Sequence, residues 1–141
     1  MSPPCLFCAI AAGSEPASIV FRDDRLCAFL DRTPLFKGHV LIVPRAHADN
    51  LHDLPDIDAS GIFQAARRVV RALEEGLQAQ GAFVAVNHRV SQSVPHLHLH
   101  VVPRTKGDGL RGFFWPRVRY AGDAERDGYA ARIAAALPAL G

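Results

Sequence analysis

Short apolar runs recur along the chain, and five of them predict β-strands. Apolar or alternating runs of about four to eight residues, bounded by turn-forming residues, are typical of strands. An Asp23-Asp24 turn joins the first two runs, which therefore predict a β-hairpin. The five predicted strands span residues 18–22, 26–30, 39–43, 82–86 and 97–102.

A longer segment has apolar residues at three- and four-residue intervals, the spacing of one face of an amphipathic helix. We expect this helix to begin at Asp56 or Asp58 and to run to about Gln80. Shorter helices are predicted over residues 5–12 and 123–137. The apolar face of the long helix comprises Ile62, Ala65, Ala66, Val69, Val70, Leu73 and Leu77.

Several strands joined mostly by turns, with one long helix inserted, predict an α+β fold on an antiparallel sheet. The chain has 141 residues, which fits a single domain spanning residues 1–141. The glycine-rich and aromatic stretch at residues 106–120 matches no regular element.

Composition and charge exclude several classes of protein. The chain is 49% hydrophobic and 21% charged, so disorder is not expected. A net charge of +2 is too small to indicate nucleic-acid binding by bulk electrostatics. No apolar run reaches the roughly 18 residues of a membrane span, and the first residues lack the pattern of a signal peptide. We therefore expect no membrane or nucleic-acid partner and a cytoplasmic location.

Three histidines occupy alternate positions at the last predicted strand: His96, His98 and His100. Side chains alternate between the two faces of a strand, so the histidines are expected to share one face, about 7 Å apart from one to the next. The apolar residues between them share the other face, which can pack on the long helix. Three imidazoles so arranged can bind an anion such as phosphate, ligate a metal, or divide into a nucleophile and supporting groups.

The three cysteines favour a metal site over disulfides. An odd number of cysteines without an export signal argues against a disulfide framework. The Cys5-x-x-Cys8 pair also lacks the preceding strand of a redox motif, whereas a tetrahedral metal site needs only two further ligands. Cys27 lies within a predicted strand and is expected to be a small buried residue.

The segment from Gln92 to Arg104, with its His-Leu-His-Leu-His-Val-Val core, resembles the signature of the histidine triad (HIT) family. Two upstream blocks, residues 29–31 and 38–47, are also similar to that family, as are Cys5-Leu6-Phe7-Cys8 and residues 20–24. The resemblance covers residues 5–104 and leaves residues 105–141 as a C-terminal segment.

The resemblance implies a HIT-like α+β fold, with a five-stranded antiparallel sheet, one long helix and a short C-terminal helix, paired into a homodimer. It also implies hydrolysis or nucleotidyl transfer at the α-phosphate of a purine nucleotide or nucleotide conjugate. The matching nucleophile is His98, which would form a covalent nucleotidyl-histidine. Water would then release a nucleoside monophosphate.

The resemblance also assigns supporting roles. His100 and His39 would stabilise charge near the phosphate oxygens, and Ser93 would bind the scissile oxygen and pass a proton to the leaving group. The shorter loop at residues 87–91 replaces a glycine-rich stretch of the family. The implied substrate contacts are Asp31 to the ribose, Phe29 and Arg32 near the base, and Gln92 and Asn87 near the phosphate.

Some HIT proteins bind structural zinc through such a cysteine pair, the histidine after a Pro-Arg or Pro-Lys step, and the first histidine of the triad. The resemblance implies the ligands Cys5, Cys8, His47 and His96 here. His96 would then serve the metal, and only His98 and His100 of the triad would serve the chemistry.

Several alternatives stay open at this point. The N-terminal half resembles the Hint branch, which cleaves phosphoramidates, whereas the extension after Arg104 is faintly similar to the Fhit branch, which cleaves dinucleoside polyphosphates. A zinc-dependent hydrolase with the triad as metal ligands is a second hypothesis. A non-catalytic nucleotide-binding sensor is a third.

Overall fold

The structure, a computed structural model, describes residues 4–111 and 117–139, so part of the 106–120 stretch lies outside the described residues. The chain forms two compact units, Met1–Asp108 and Gly109–Gly141. Among the described residues, no helix is both long enough and apolar enough to cross a membrane.

The first unit contains one sheet of five strands, in the order β1-β2-β3-β5-β4, and every pairing is antiparallel. The predicted α+β class and the β1–β2 hairpin are therefore confirmed. The elements are α1 (Leu6–Ala12), β1 (Ile19–Arg22), β2 (Leu26–Leu30), β3 (Val40–Pro44), a 3₁₀ turn (Leu51–Asp53), α2 (Asp56–Leu77), β4 (Gly81–Val86) and β5 (Leu99–Arg104).

The long helix α2 packs its apolar face on one side of the sheet. Asp56 and Asp58 lie in its first turn, where acidic groups interact favourably with the helix dipole. Leu77 is exposed, contrary to its predicted place on the buried face. The core on this side includes Ile62, Ala65, Ala66, Val69 and Leu73 of the helix and Leu97, Leu99 and Val101 beneath it.

The helix ends at Leu77 rather than near Gln80. Gln78 adopts a left-handed conformation with φ of 57°, which ends the helical hydrogen bonding. The N–H of Gln80 donates to the carbonyl of Arg104 in the sheet at 2.9 Å, so the backbone at Gln80 has left the helix and is directed toward the sheet. The backbone conformation of Gln78 was not apparent from its residue type.

The strand β5 begins at Leu99, two residues later than predicted, so His96 and His98 precede it. The rings of His98 and His100 are only 5.0 Å apart between centroids, whereas His96 lies against the cysteines. The predicted strand boundary is therefore wrong, but the predicted shared face is confirmed, because His96, His98 and His100 all lie on the side of the sheet that carries α1. The apolar side of the pattern is confirmed, because the residues between the histidines are buried against α2.

The short helix α1 packs on the sheet face opposite α2. The Cys5 sulfur accepts a hydrogen bond from the N–H of Cys8 at the start of the helix, and Gly13, with φ of 83°, ends it. Cys27 is fully buried, as predicted. The core on this side contains Phe7, Ile10, Ala11, Cys27, Phe29, Leu41 and Val43.

The second unit contains α3 (Asp123–Ala136), close to its predicted bounds. Its side chains are exposed, and those of Tyr120 and Tyr129 contact each other with ring centroids 5.7 Å apart. The guanidinium of Arg132 lies 4.4 Å from the ring centre of Tyr129, a cation–π distance.

Candidate active site and metal centre

A cavity of about 730 Å³ opens on the sheet face that carries α1. Its walls are mostly apolar, and most of its polar groups come from the residues after β2, from β5 and from the segment that precedes β5. An apolar cleft with a few converging polar groups is typical of a small-ligand site. The lining includes Leu6, Phe7, Ile10, Phe29, Leu30, Asp31, Arg32, Leu41, Ser93, Val94, His98 and His100.

His98 is held in one tautomer by the backbone. Its Nδ1 lies 2.8 Å from the carbonyl oxygen of His96, and that oxygen can only accept a hydrogen bond. Nδ1 therefore carries the hydrogen, and the Nε2 of the neutral ring carries a lone pair. The edge of Phe7 packs on this ring at 5.1 Å between centroids and 81° between planes. The arrangement gives a buried imidazole with a fixed orientation and one nucleophilic nitrogen.

His39 and His100 form a chain of hydrogen bonds with a fixed direction, which starts at a backbone amide. The N–H of Leu35 donates to the Nδ1 of His39 at 3.1 Å, so the hydrogen of neutral His39 lies on Nε2. That Nε2 is 2.9 Å from the Nδ1 of His100 and donates to it. The remaining hydrogen of His100 then lies on its Nε2. A backbone amide thus makes the His100 ring a donor at Nε2.

The imidazole rings of His39 and His100 are both neutral near neutral pH. Burial lowers the pKa of His39, which the charge of Asp31 only partly opposes. Burial, together with the nearby His98 and His39, lowers the pKa of His100 to about 4. Neutral rings keep the single tautomers that the hydrogen bonds select, because a protonated ring would donate from both nitrogens.

Asp31 and Arg32 stand at the wall of the cavity. One oxygen of Asp31 accepts the N–H of Thr33 at 2.9 Å, and the other lies 3.8 Å from the Nδ1 of His39. Arg32 donates to the carbonyl of Pro16 at 3.0 Å, and much of its side chain is exposed. Asp31 thus has a second carboxylate oxygen available to a ligand hydroxyl.

Three of the residues expected at the site are absent from the cavity lining. His39 is buried behind His100 and contacts it directly. The amide of Asn87 donates to the carbonyl of Ser91 at 3.1 Å, and the amide of Gln92 donates to the carbonyl of Asp49. The expected phosphate contacts of these amides stay predictions.

Sequence reasoning missed one wall of the cavity. Leu6, Phe7 and Ile10 come from α1, which the pattern had assigned only as a helical turn. The sequence did carry a signal for this wall, namely an apolar helix that begins inside the Cys5-x-x-Cys8 motif. Two cysteines that bind one site hold the residues between them in a fixed position.

Four ligand atoms gather beside the active site. The sulfur and nitrogen ligand atoms of Cys5, Cys8, His47 and His96 all lie within 4.8 Å of one another. Cys5 Sγ and Cys8 Sγ lie 3.3 and 3.5 Å from the Nδ1 of His96, and Cys8 Sγ lies 3.3 Å from the Nδ1 of His47. A zinc tetrahedron built from bonds of about 2.0 and 2.3 Å has edges of roughly 3.3–3.8 Å. The Cys₂His₂ set therefore fits zinc.

The groups around this cluster also suit a metal. The Nε2 of His96 donates to the carbonyl of Pro44 at 2.8 Å, and the Nε2 of His47 lies 2.6 Å from a carboxylate oxygen of Asp49. Each contact leaves Nδ1 as the metal-binding nitrogen. Burial and the neighbouring Cys5 raise the pKa of the Cys8 thiol to about 11, since a second thiolate beside the first is unfavourable without a cation. A divalent cation would remove that cost.

Asp31, His39 and His100 form a second group with ligand-type atoms close together. Both nitrogens of His39 and the Nδ1 of His100 are already engaged, because His39 accepts from Leu35 and donates to His100. Of the groups found among the described residues, neither includes His98. The triad therefore does not converge on one ion, which argues against the hypothesis of a catalytic zinc bound by the triad.

Comparison with known proteins agrees with this geometry. The model of the HIT domain family matches residues 12–107. A HIT family protein of Bacillus subtilis has a similar solved structure, with a TM-score of 0.86, 30% identity, and coverage of 98% of this chain and 100% of that one. A zinc-bound histidine triad family protein from Mycobacterium smegmatis gives 0.73 and 35%, with 94% and 97% covered.

Among curated proteins, the adenosine 5'-monophosphoramidase hnt1 of Schizosaccharomyces pombe is 30% identical over 112 residues, which is 79% of this chain and 83% of that protein. The family model matches more than half of the chain, and the two solved structures have a similar fold. The chain therefore belongs to the HIT domain family.

Proposed function

We propose that this protein hydrolyses nucleotide conjugates at the α-phosphate through a covalent nucleotidyl intermediate on His98. The observation that carries the proposal is the hydrogen bond from the Nδ1 of His98 to the carbonyl of His96, which leaves a lone pair on Nε2 inside a nucleotide-sized cavity. An imidazole with an ordinary pKa of about 6.5 is a competent nucleophile at neutral pH when one nitrogen is unprotonated.

In the first step, the Nε2 of His98 forms a bond to the α-phosphorus, and the bond from phosphorus to the leaving group breaks. The hydroxyl of Ser93, which lines the same cavity, gives its proton to the departing nitrogen or oxygen. In the second step, water adds a hydroxyl to phosphorus, its other proton restores Ser93, and the bond to His98 breaks. One water is consumed, and a nucleoside monophosphate is released.

His100 stabilises the charge that develops on the phosphate oxygens. Its Nε2–H is set by the chain from Leu35 through His39, so the donor needs no reorganisation during the reaction. His39 acts through His100 rather than on the phosphate, because its Nε2 is already committed to that ring.

The cavity suits a purine nucleoside. Phe29 and Phe7 meet at 5.3 Å between ring centroids and provide an apolar wall for the base, with Arg32 at the rim. The free carboxylate oxygen of Asp31 would accept a ribose hydroxyl. Gln92 and Asn87 reach a phosphate only if their amides leave their present backbone partners.

A phosphoramidate is the proposed substrate class, because the fission yeast relative is a monophosphoramidase. A dinucleoside polyphosphate is the second candidate. The two differ in the leaving group, which is an amine in one and a nucleotide in the other, and both would give the same nucleotidyl-His98 intermediate.

We also propose a structural zinc ion at Cys5, Cys8, His47 and His96. When bound, the ion would neutralise the thiolates and cross-link the start of α1 to the segment before β5. A cytoplasmic location agrees with this role, because a reducing compartment keeps both cysteines as thiols.

A homodimer is proposed through the outer face of α2 and the edge strand β4. Phe63 is 60% exposed and lines a shallow groove with Val70 and Val84 of the neighbouring edge strand. A second copy of the same surface would cover these apolar groups by two-fold symmetry. Sedimentation of the protein and of Phe63→Glu tests this, with a monomeric variant as the expected result.

The main test is to trap the intermediate. Rapid quenching after mixing with an adenosine phosphoramidate, followed by peptide mass spectrometry, should show one adenylyl group on His98. His98→Ala should abolish both the adduct and turnover, whereas the surface variant Glu75→Ala, on the exposed side of α2, should retain both. Tight binding of a nucleoside monophosphate with neither adduct nor turnover would favour a nucleotide sensor instead.

A further inference from the structure

Two histidines outside the cavity, His52 and His88, meet between loops. Their rings pack edge to face, with centroids 4.6 Å apart and planes at 87°. The Nδ1 of His88 also accepts the N–H of Leu51 at 3.3 Å. His88 belongs to the loop between β4 and β5, and the other two residues belong to the 3₁₀ turn after β3.

A further bond joins the same two segments. The side-chain amide of Gln92 donates to the carbonyl of Asp49, so the first half of the β4–β5 loop, residues 87–92, is attached near its beginning by His88 and at its end by Gln92. Asp49 in turn binds His47 of the proposed metal centre. The loop is thus fastened to a segment that the metal centre itself would hold.

The loop needs this attachment because its backbone is strained. Arg89 and Ser91 have φ of 68° and 62°, a left-handed conformation that is costly for residues other than glycine. Residues 87–91 include no glycine, so these left-handed conformations fall on residues that carry side chains. Inside the loop, the side-chain amide of Asn87 bonds the carbonyl of Ser91. The N–H of Val90 also donates to the carbonyl of His88 at 2.8 Å, and beyond Ser93 the N–H of Leu97 donates to the carbonyl of Ala48 at 2.7 Å. His88 and Gln92 provide the side-chain bonds that tie residues 87–92 to the segment after β3.

The loop leads directly to the reacting centre. Ser93 follows Gln92 and lines the cavity together with His98. A change in the loop backbone would therefore displace the Ser93 hydroxyl, whereas His98 is fixed separately by the carbonyl of His96. Displacement would affect proton transfer to the leaving group more than attack on phosphorus.

We infer that His88 is a positioning residue, which holds the strained β4–β5 loop on the 3₁₀ turn so that Ser93 faces the leaving group. The inference rests on the proposed function, because it assigns Ser93 the proton transfer. It gives a role to a histidine outside the triad and to the loop that carries it.

The test compares two leaving groups in variants of His88. His88→Leu removes the acceptor for the Leu51 N–H, whereas His88→Asn keeps an acceptor oxygen near the position of Nδ1. The substrates are an adenosine alkylphosphoramidate, whose amine must be protonated as it leaves, and the p-nitrophenyl ester of adenosine monophosphate, whose phenolate leaves unaided. Val90→Ala is the control, because the Val90 side chain is 81% exposed in the same loop.

We expect His88→Leu to lower kcat for the phosphoramidate by about tenfold or more, since a positioned proton donor contributes ~10²–10⁴-fold. Turnover of the nitrophenyl ester should change by less than about twofold. His88→Asn should recover most of the loss, and Val90→Ala should match the parent protein. The amide resonance of Ser93 should shift in His88→Leu and not in Val90→Ala.

Equal loss on both substrates would overturn the inference, because it would indicate a general structural effect. An unchanged ratio of the turnover rates on the two substrates in His88→Leu would overturn it whether or not the rates fall. A failure of His88→Asn to recover the lost rate would overturn it as well. Failure of the proposed function has a different signature, namely the absence of a nucleotidyl-His98 adduct in the parent protein. The Ser93 resonance tests the positioning role even then.

Discussion

Replacing His39 with leucine tests the directional chain that ends at His100. Leucine fills a similar volume and removes the donor to the Nδ1 of His100, now 2.9 Å from the Nε2 of His39. The His100 ring then loses the bond that keeps its hydrogen on Nε2. Because the ring is neutral, with a pKa of about 4, it can shift that hydrogen to Nδ1 and present a lone pair to the phosphate.

The size of the effect follows from two limits. A hydrogen bond of ~1–1.5 kcal/mol biases the tautomers by about tenfold, so its loss lets the wrong tautomer compete. Complete loss of a charge-stabilising donor costs ~10²–10³-fold in kcat, which sets the ceiling. We therefore expect kcat/KM for an adenosine phosphoramidate to fall between about tenfold and hundredfold. The matched variant His39→Gln, whose amide can still donate to His100, should fall less.

The direction in which the rates change with pH also tests this mechanism. As pH falls toward the depressed pKa of His100, protonation places a hydrogen on both nitrogens and restores the donor in His39→Leu. The ratio of parent to variant rates should therefore shrink below about pH 5. ¹⁵N resonances of His100 report the tautomer directly. Parent-like rates in a folded His39→Leu, or a ratio that grows on acidification, would refute the reasoning.

Three other outcomes are expected. Chelation, or Cys8→Ser, should remove zinc and lower the melting temperature. Either change should also weaken the binding of adenosine monophosphate several-fold, as measured by calorimetry, because the cavity residue Phe7 lies between two ligands. The control Cys27→Ala should keep one zinc per chain. Gly38→Ala should lose ~1–2 kcal/mol in urea unfolding, since φ is 100° there and a Cβ would meet a side chain of α2 at 2.5 Å. Gly76→Ala, with open space around its Cβ, should instead gain ~0.5–1 kcal/mol, and a loss there would contradict the helix assignment.

The periodicity of the chain predicted the fold well because the periodic face of each element is also its buried face. The apolar positions of α2 and the residues between the triad histidines pack together as the pattern indicates. Predictions failed where backbone conformation decided the outcome. The left-handed Gln78 ends α2 early, and the late start of β5 leaves His96 and His98 outside the strand. Residue type alone does not reveal these choices.

The sequence by itself determined the fold class, the family and the identity of the candidate ligands and nucleophile, because ordered motifs and spacing are local properties. Only the tertiary structure decided which ring nitrogens of these histidines are engaged and which tautomers they adopt. His96 lies with the cysteines, and its carbonyl orients His98. The backbone amide of Leu35 sets the tautomer of His100 through His39, which lies 61 residues before His100 in the chain. These roles depend on hydrogen bonds between segments distant in the chain, and such bonds exist only once the sheet brings the segments together.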